Sequence, residues 1–426
     1  MAQLFSKNAL IKLNRELRDS ESPSAEALCK LQHYRLSYKE IIKEVFDIVT
    51  EEATKINSEA ICAFRIKRID SIIRKLKRLK GGIELKSMGD IAGCRCILIT
   101  DAEVYKLMKA IKKHPRIKTC EINNYITHPK PSGYKSIHMY VTIDGYDKMR
   151  IEIQLRSRQH HDWATFVEVL DLIYKVNVKE QLHTRTTKYK ELAQFHHILS
   201  KPDNYLQKED IHQLFETIIR YDIMKRVSSH MLKNIVKVRK QWATLMTEHP
   251  ERPNYFYICT SENREPLIKA FNSYKESEDY YYSQFEQESK INQVLVCLND
   301  ASFDTISTAY SNYILVCHEF SHRIPKFLAI AINKQWHDSH LLDAVNYYKK
   351  RLYSMLKFID VEGTEIAKAE YDDDIMNEWK SDIQEHFERF KADSKMLSKA
   401  TYRMLIRSYK GIDRIRAILN YWRFAY

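Results

Sequence analysis

Lys130-Pro-Ser-Gly-Tyr-Lys-Ser-Ile-His138 and the later segment Arg150-Ile-Glu-Ile-Gln-Leu-Arg156 decide the fold class of this chain. Polar and apolar residues alternate from Ser136 onward and through the second segment, and a period of two places each polar set on one face of a strand. A solvent-facing strand normally shows a scatter of threonine, lysine and serine. These strands also carry glutamate, glutamine, histidine and arginine, in the set Ser136, His138, Tyr140, Thr142, Arg150, Glu152, Gln154 and Arg156. This combination suits an anion and a metal ion, so it predicts a functional site on a sheet.

The residues around these strands predict an α+β domain, with a mixed sheet flanked by helices, over residues 60–175. Apolar residues three and four positions apart predict an amphipathic helix over 64–80, which Gly81-Gly82 ends. The remaining predicted elements are strands at Cys94–Thr100, Glu121–Thr127, Ser136–Ile143 and Arg150–Leu155, and helices at Asp101–Lys113 and His160–Tyr174.

The flanking regions are predicted to be mostly helical. Residues 1–59 form N-terminal helices with a break at Ser20-Glu-Ser-Pro-Ser24, and residues 176–426 carry long helical patterns with high charge. Two short apolar runs, Tyr255–Thr260 and Gln293–Leu298, bracket a helical stretch and predict a small βαβ-like module.

The composition is that of a folded, basic chain. Sixty-nine Lys and Arg face 56 Asp and Glu, and the formal charge of +13 favours polyanionic partners such as nucleotides, RNA or an anionic membrane surface. No apolar run approaches the roughly 20 residues of a membrane span, and the N-terminus lacks the apolar block of a signal peptide. The eight cysteines show no Cys-x-x-Cys spacing, which argues against a disulfide framework or a cysteine zinc site and predicts a cytoplasmic location.

A basic segment lies just before a loop that carries a carboxylate. It contains one acidic residue, Asp70, among the cations Arg65, Lys67, Arg68, Arg74, Lys75, Lys77, Arg78 and Lys80. Such a segment is often only the solvated face of a helix. Its position next to the carboxylate-bearing loop favours phosphate binding instead, because Arg and Lys neutralise and orient polyphosphates.

Two carboxylates and one tyrosine extend this prediction. Asp90 precedes a strand, where an isolated aspartate is usually a turn residue, but with Glu152 on a neighbouring strand it forms a plausible Mg²⁺ site. Tyr134 follows Gly133, and it either stacks on a nucleobase or covers the edge of the sheet.

Six motifs occur in one order along residues 60–175. They are Arg65-x-Lys-Arg-x-x-Ser71-Ile-Ile-x-Lys75, Met88-x-Asp90-Ile-x-Gly-x-Arg95, Asn124-Tyr-Ile-x-x-Pro-Lys130, Gly133-Tyr-x-Ser-x-His138, Glu152-x-Gln-x-Arg156 and His161-x-Trp-Ala-Thr165. In this order they resemble the synthetase domain of RelA/SpoT proteins, which has a nucleotidyltransferase-like fold. That family transfers pyrophosphate from ATP to a ribose 3′-hydroxyl, normally of GDP or GTP, and makes the alarmone (p)ppGpp. A toxic branch of small synthetases modifies the 3′ end of tRNA instead.

The resemblance implies a role for each matched residue. ATP would be contacted by Arg65, Lys67, Ser71 and Lys75. Mg²⁺ would be held by Asp90 and Glu152, and Glu152 would also draw the proton from the attacking hydroxyl. The acceptor would be bound by Lys130, Tyr134, His138, Gln154 and Arg156, with Tyr134 stacked on its base.

Some positions depart from the pattern of long bifunctional family members. Asn123 stands where those members usually have a lysine, and Ala164-Thr165 replaces Ala-Glu. The sequence from Trp163 to Glu168 is closer to small stand-alone synthetases, including members fused to an inhibitory domain. No His-Asp motif of the family's hydrolase occurs, so reverse hydrolysis is not expected. The acceptor stays open between GDP or GTP and the 3′ end of tRNA.

The C-terminal region is predicted to regulate or to dock a substrate. Lys395, Lys399, Arg403 and Arg407 repeat every four residues, as a solvated helix face or as a surface for RNA, an acidic protein or a membrane. The pairs His196-His197 and His318-x-x-x-His322 lack a recognisable third metal ligand.

A catalytic domain complete by about residue 175 predicts a growth-arrest toxin with an inhibitor in cis, to which a protein regulator could bind. Residues 1–180 alone are then expected to be more active than the full chain. The alternative is a non-catalytic RNA-binding or regulatory protein that retains the fold.

Overall fold

The chain forms two units whose segments alternate along the sequence. The computed structural model describes residues 5–79, 81–147, 149–176, 178, 186–202, 205–261, 264–287, 292–298, 301–309, 340–395 and 399–424. One unit, here called the sheet unit, comprises residues 1–130, 134–161 and 251–313. The other, the helical unit, comprises residues 131–133, 162–250 and 314–426. This division differs from the predicted boundaries at residues 59 and 175, because strands from beyond residue 250 join the sheet of the first unit.

The N-terminal helices of the sheet unit have the predicted arrangement. They are α1 (Lys7–Asp19), α2 (Ala25–Leu36) and α3 (Lys39–Ile56). The predicted break falls between α1 and α2, where Ser20 ends one helix and Ser24 begins the next. The Ser24 hydroxyl accepts a hydrogen bond from the Ala27 amide at 3.1 Å, which satisfies one of the free donors at the start of α2.

Eight strands form one sheet in the order β3-β4-β5-β2-β1-β8-β6-β7. Their bounds are β1 Ile61–Ile66, β2 Ala92–Leu98, β3 Ile117–Asn124, β4 Ile137–Ile143, β5 Ile151–Ser157, β6 Tyr255–Ser261, β7 Arg264–Phe271 and β8 Asn292–Cys297. Strands β2 and β5 are parallel, and the other neighbouring pairs are antiparallel. The predicted mixed sheet with flanking helices is therefore confirmed.

The predicted helix over 64–80 is wrong at its start. Residues up to Ile66 belong to β1, and helix α4 spans Ile69–Arg78. Phe64 and Ile66 are buried on either side of the exposed Arg65, which is the period of a strand. Ile66 also fits the three-residue spacing of the helix that follows, and this shared position hid the boundary. The correction places Arg65 on a strand and Lys67 just after it.

Helices α3 and α5 (Asp101–Lys113) cover one face of the sheet, on strands β2 and β5. The predicted bounds of α5 are confirmed, and a reciprocal pair of hydrogen bonds between Thr100 and Glu103 fixes its start. The buried side chains of Cys94, Cys96 and Ile153 lie on this covered face. Since neighbouring residues of a strand point to opposite faces, the polar residues of β4, β5 and β2 lie on the other one.

Strands β6 and β8 confirm the two predicted apolar runs, but their arrangement is not a βαβ module. Helix α10 (Tyr274–Gln287) lies between β7 and β8, and β8 is antiparallel to both β6 and β1. Strand β7 was not predicted. A short helix, α11 (Phe303–Ala309), follows and contacts β1. The segment therefore extends the predicted synthetase sheet.

The helical unit confirms the predicted helical C-terminal region. The helices among its described residues are α6 (Arg158–Tyr174, which begins in the sheet unit), α7 (Thr187–Leu199), α8 (Lys208–Arg220), α9 (Ile223–Glu248), α12 (His340–Ile366), α13 (Asp373–Ser394), α14 (Lys399–Ser408) and α15 (Ile412–Phe424). None of the helices in the described ranges is long and apolar enough to cross a membrane. His318 and His322 lie outside the described residues.

A buried carboxyl group makes the stability of the helical unit depend on pH. Burial raises the pKa of Glu362 in α12 from 4.5 to about 6, although the charge of Arg239 opposes the shift. Because the folded-state pKa is the higher one, this group stabilises the fold fully below pH 4.5, and that stabilisation is lost as the pH rises through 6. We expect Glu362→Gln to raise the free energy of unfolding by about 2 kcal/mol at pH 7.5 and to leave it unchanged at pH 4.5.

Thermal unfolding of the full chain at the two pH values measures this difference. Glu365→Gln is the matched control, since Glu365 lies on the same helix but is only half-buried and forms an ion pair with Lys240. An increase in the stability of Glu362→Gln that is equal at both pH values would contradict the expected titration of Glu362.

Candidate active site

A pocket of about 300 Å³ lies on the polar face of the sheet unit, over strands β4, β5, β2 and β1. It brings together eight of the predicted site residues: Arg65, Lys67, Lys75, Asp90, Lys130, His138, Glu152 and Gln154. Three other predicted residues, Ser71, Tyr134 and Arg156, do not line it. The two segments that predicted a site therefore contribute to one pocket together with β1, α4 and the loop before β2.

Strand register explains why the pocket residues of β4 and β5 meet. His138 lies opposite Gln154, and Tyr140 lies opposite Glu152. On the other side, Gly93 of β2 lies beside Glu152. A Cβ atom at Gly93 would stand 2.9 Å from the carbonyl oxygen of Glu152, so glycine permits the close approach of these strands.

Glu152 is buried and accepts hydrogen bonds at both carboxylate oxygens. The Tyr140 hydroxyl donates to Oε1 at 3.0 Å, His138 Nδ1 lies 2.8 Å from the same oxygen, and Gln154 Nε2 donates to Oε2 at 2.7 Å. Burial raises the pKa of Glu152, but the hydrogen bonds and the charge of His138 outweigh it and hold the pKa well below its usual range. The carboxylate is therefore ionised at neutral pH and fixed in orientation.

Asp90 forms the second acidic centre of the pocket. Lys67 Nζ and Lys75 Nζ each lie 2.8 Å from Oδ2 of Asp90. Burial raises the pKa of Asp90, but Lys67 and Lys75 lower it by a larger amount. The net shift is downward, so the carboxylate stays ionised. The other oxygen, Oδ1, is buried and has no hydrogen-bond partner among the described residues. An acceptor atom in this state fits a cation ligand.

Tyr134 lies beneath the pocket surface, with 7% of the residue's surface exposed. Its hydroxyl oxygen accepts a hydrogen bond from Arg156 Nη2 at 2.6 Å and lies 2.7 Å from His138 Nε2. Burial raises the pKa of Tyr134, but the positive charges of Arg156 and His138 lower it to about 7. Tyr134 thus contacts His138 at the ring nitrogen opposite the one that faces Glu152, and Arg156 contacts Tyr134 in turn. The stacking role of Tyr134 stays a prediction.

Eight residues that line the pocket had no predicted role, among them Tyr125, Arg95 and Val294. Tyr125 lies at the rim, where Lys130 Nζ stands 4.5 Å from the centre of its ring. Arg95 of β2 and Val294 of β8 also line the pocket. Tyr125 and Arg95 belong to quoted motifs, so the sequence offered a signal for both. Val294 comes from a strand whose position in the sheet no local pattern indicated.

Ser71 lies on α4, outside the pocket. Its hydroxyl accepts a hydrogen bond from Arg74 Nη2 at 3.4 Å, on the exposed side of the helix. Lys75, one turn further along α4, does reach the pocket. The predicted contact of Ser71 with ATP phosphates stays a prediction.

Comparison with known proteins gives evidence that is independent of this geometry. The model of a region found in RelA/SpoT proteins matches residues 64–179. The GTP pyrophosphokinase YwaC of Bacillus subtilis (strain 168) is 31% identical over an alignment of 156 residues, and the match covers 34% of this chain and 72% of that protein. The chain belongs to the RelA/SpoT family. The resemblance predicted from six motifs is thereby confirmed, and so is the pyrophosphokinase class at the level of the family.

Other known proteins are also similar to this chain. The GTP pyrophosphokinase YjbM of Bacillus subtilis (strain 168) is 31% identical over 137 residues, and the chain spans 64% of its length, just under two thirds. The crystal structure of small alarmone synthetase 2 from Bacillus subtilis is 28% identical, and the match covers 40% of this chain and 94% of that one, with a TM-score of 0.32. The family match ends at residue 179, before strands β6, β7 and β8 begin.

Proposed function

We propose that this RelA/SpoT protein transfers pyrophosphate from ATP to the ribose 3′-hydroxyl of GDP or GTP. The observation that carries the proposal is the pocket, in which two ionised carboxylates and several cations share the polar face of one sheet. A site of this composition suits phosphoryl-type transfer, which depends mainly on positioning and on neutralising charge. The names of the relatives, GTP pyrophosphokinases, support the acceptor.

The ATP side of the pocket would lie at β1 and α4. Arg65, Lys67 and Lys75 supply three positive charges there, against the single negative charge of Asp90. The excess of positive charge favours a polyphosphate. Lys67 and Lys75 both hold Asp90 in place, so ATP would meet an already ordered set of side chains.

The acceptor side would lie between β4 and the loop from β3 to β4, which carries Lys130. Lys130 offers a charge to the acceptor's phosphates, and Tyr125 beside it offers an aromatic ring for a base. His138 and Gln154 line the floor between this loop and Glu152. The order of these groups would direct a ribose hydroxyl toward Glu152.

Asp90 and Glu152 are the residues that would hold Mg²⁺. The free, buried Oδ1 of Asp90 fits this role, and two carboxylates suit an ion that takes its other ligands from phosphates and water. Among the described residues no group of three or more His, Cys, Asp or Glu side chains forms a complete metal cage. When bound, Mg²⁺ would neutralise charge on the transferred phosphates.

Glu152 would also receive the attacking hydroxyl. Its low pKa makes it a weak base that stays ionised, so it would orient the hydroxyl through a hydrogen bond and take the proton only as the new bond forms. Tyr140, His138 and Gln154 hold the carboxylate from its other sides.

An acceptor assay tests the proposal. The full chain, ATP labelled at the β and γ phosphates and Mg²⁺ are incubated separately with GDP, GTP and bulk tRNA. We expect label on GDP and GTP, because the relatives that match this chain are named GTP pyrophosphokinases. Label on tRNA alone would contradict the proposed acceptor and favour modification of the tRNA 3′ end. ATP left intact with every acceptor would indicate a binding or regulatory protein.

A further inference from the structure

The ATP end of the pocket depends on how the chain leaves β1. Arg65 and Lys67 lie on either side of Ile66, so the orientation of that peptide decides where both cations point. The Lys67 amide donates to the carbonyl oxygen of Ile91 at 2.7 Å, and Arg35 Nε donates to the carbonyl oxygen of Lys67 at 2.8 Å. These contacts fix the peptide groups of Lys67. The Ile66 amide needs a separate acceptor.

That acceptor is the hydroxyl of Tyr281 on α10. Strand β8 pairs with β1 at Cys62, Ala63 and Phe64 only, so the β8 edge of β1 has no strand partner at Ile66. The Ile66 amide donates to the Tyr281 hydroxyl at 3.1 Å, and both residues are buried. The hydroxyl thus takes the place of a missing ladder bond.

The ring of Tyr281 is held firmly enough for this task. It is fully buried and meets the ring of Phe64 edge-to-face, with 5.6 Å between ring centres. The rings of Tyr257 and Tyr282 lie on other sides of it, at 6.3 and 5.1 Å. Since Phe64 precedes Arg65 directly, α10 contacts β1 at both ends of the segment that carries the cation.

We propose that Tyr281 is a positioning residue for ATP binding. Its hydroxyl fixes the Ile66 peptide, and this sets the directions of Arg65 and Lys67 toward the triphosphate. The inference rests on the proposed function and adds to it a residue that lies far beyond the family match, which ends at residue 179. With this role for Tyr281, the segment from β6 to α11 contributes to the nucleotide site.

Tyr281→Phe in the full chain tests the inference, because it removes the hydroxyl and keeps the ring. We expect the Kd for a non-hydrolysable ATP analogue and the KM for ATP to rise about tenfold, with kcat at saturating ATP changed less than twofold. We also expect amide hydrogen exchange in the peptide that covers Ile61–Arg68 to become faster in the absence of nucleotide.

Tyr257→Phe is the matched control. Tyr257 belongs to the same buried aromatic cluster, but its hydroxyl donates to Gln293 at 3.0 Å and does not reach β1. The inference requires this variant to keep the wild-type affinity and the wild-type exchange of Ile61–Arg68.

Each other outcome overturns the inference. Equal effects of both variants would show a general loosening of the cluster, and an unchanged affinity in Tyr281→Phe would show that the hydroxyl does not position the cations. A wild-type chain that does not bind the analogue would overturn the proposed function as well. The exchange measurement is made without nucleotide, so it tests the hydrogen bond between Tyr281 and Ile66 even if the proposed function is wrong.

Discussion

Replacing Glu152 by glutamine is expected to lower turnover by about 10³-fold while ATP binding survives. Glutamine keeps the shape of the side chain but removes the negative charge that would hold Mg²⁺ and orient the hydroxyl. Its amide group also presents a donor to Tyr140, His138 and Gln154, which now surround a carboxylate. Release of AMP from ATP in the presence of GDP measures turnover, and calorimetry with a non-hydrolysable analogue measures binding.

Glu121→Gln provides the control for this experiment. Glu121 is an exposed carboxylate on β3 of the same sheet, where it accepts a hydrogen bond from Asn123 at 2.7 Å, and it does not line the pocket. We expect its turnover to stay within about twofold of wild type, as for most surface changes. Undiminished AMP release by Glu152→Gln would exclude the mechanism.

Removing residues 181–426 is expected to leave a protein that does not fold stably. The sequence predicted a catalytic domain complete by about residue 175 and a more active fragment 1–180, but β8 pairs with β1 and Tyr281 accepts from Ile66. The fragment would expose the edge of β1 and the rings that α10 covers. We expect no cooperative thermal transition, and aggregation through the open edge.

A chain that ends after residue 309 is the matched comparison. It keeps β6 to α11 and the complete eight-stranded sheet, so we expect it to unfold cooperatively and to bind the ATP analogue. Its activity then bears on the predicted regulator: greater activity than the full chain would support inhibition by residues beyond 309, and lower activity would support a docking role. A folded 1–180 fragment with full analogue affinity would contradict the requirement for β8.

The strands that carry the site could be predicted because their signals are local. Alternation over seven residues decides which side chains share a face, and neighbouring segments such as β4 and β5 pair through a short connection. Glu152, Gln154 and His138 were found in this way. Asp90 was predicted from its position before a strand and the lysines from the basic segment, although their ion pairs could not be predicted.

The outer half of the sheet had no comparable signal. Strand β7 contains Glu265, Pro266 and Lys269, and proline in a short apolar run argues against a strand unless it lies at an edge. The structure places β7 at the edge of the sheet, where a missing amide donor is tolerated. The pairing of β8 with β1 depends on residues far apart in sequence, so neither strand's own pattern reveals it.

The distance between β1 and β8 also affects how the protein is made. The ribosome completes β1 long before β8. About 225 residues separate Ile66 from Asn292, and their synthesis takes about 11–45 s at common rates. During that time the outer amide and carbonyl groups of β1 have no partner strand, and another nascent chain can pair with them. Soluble yield in a cell should therefore depend on translation speed and on chaperones that shield this edge, more than on the stability of the finished fold.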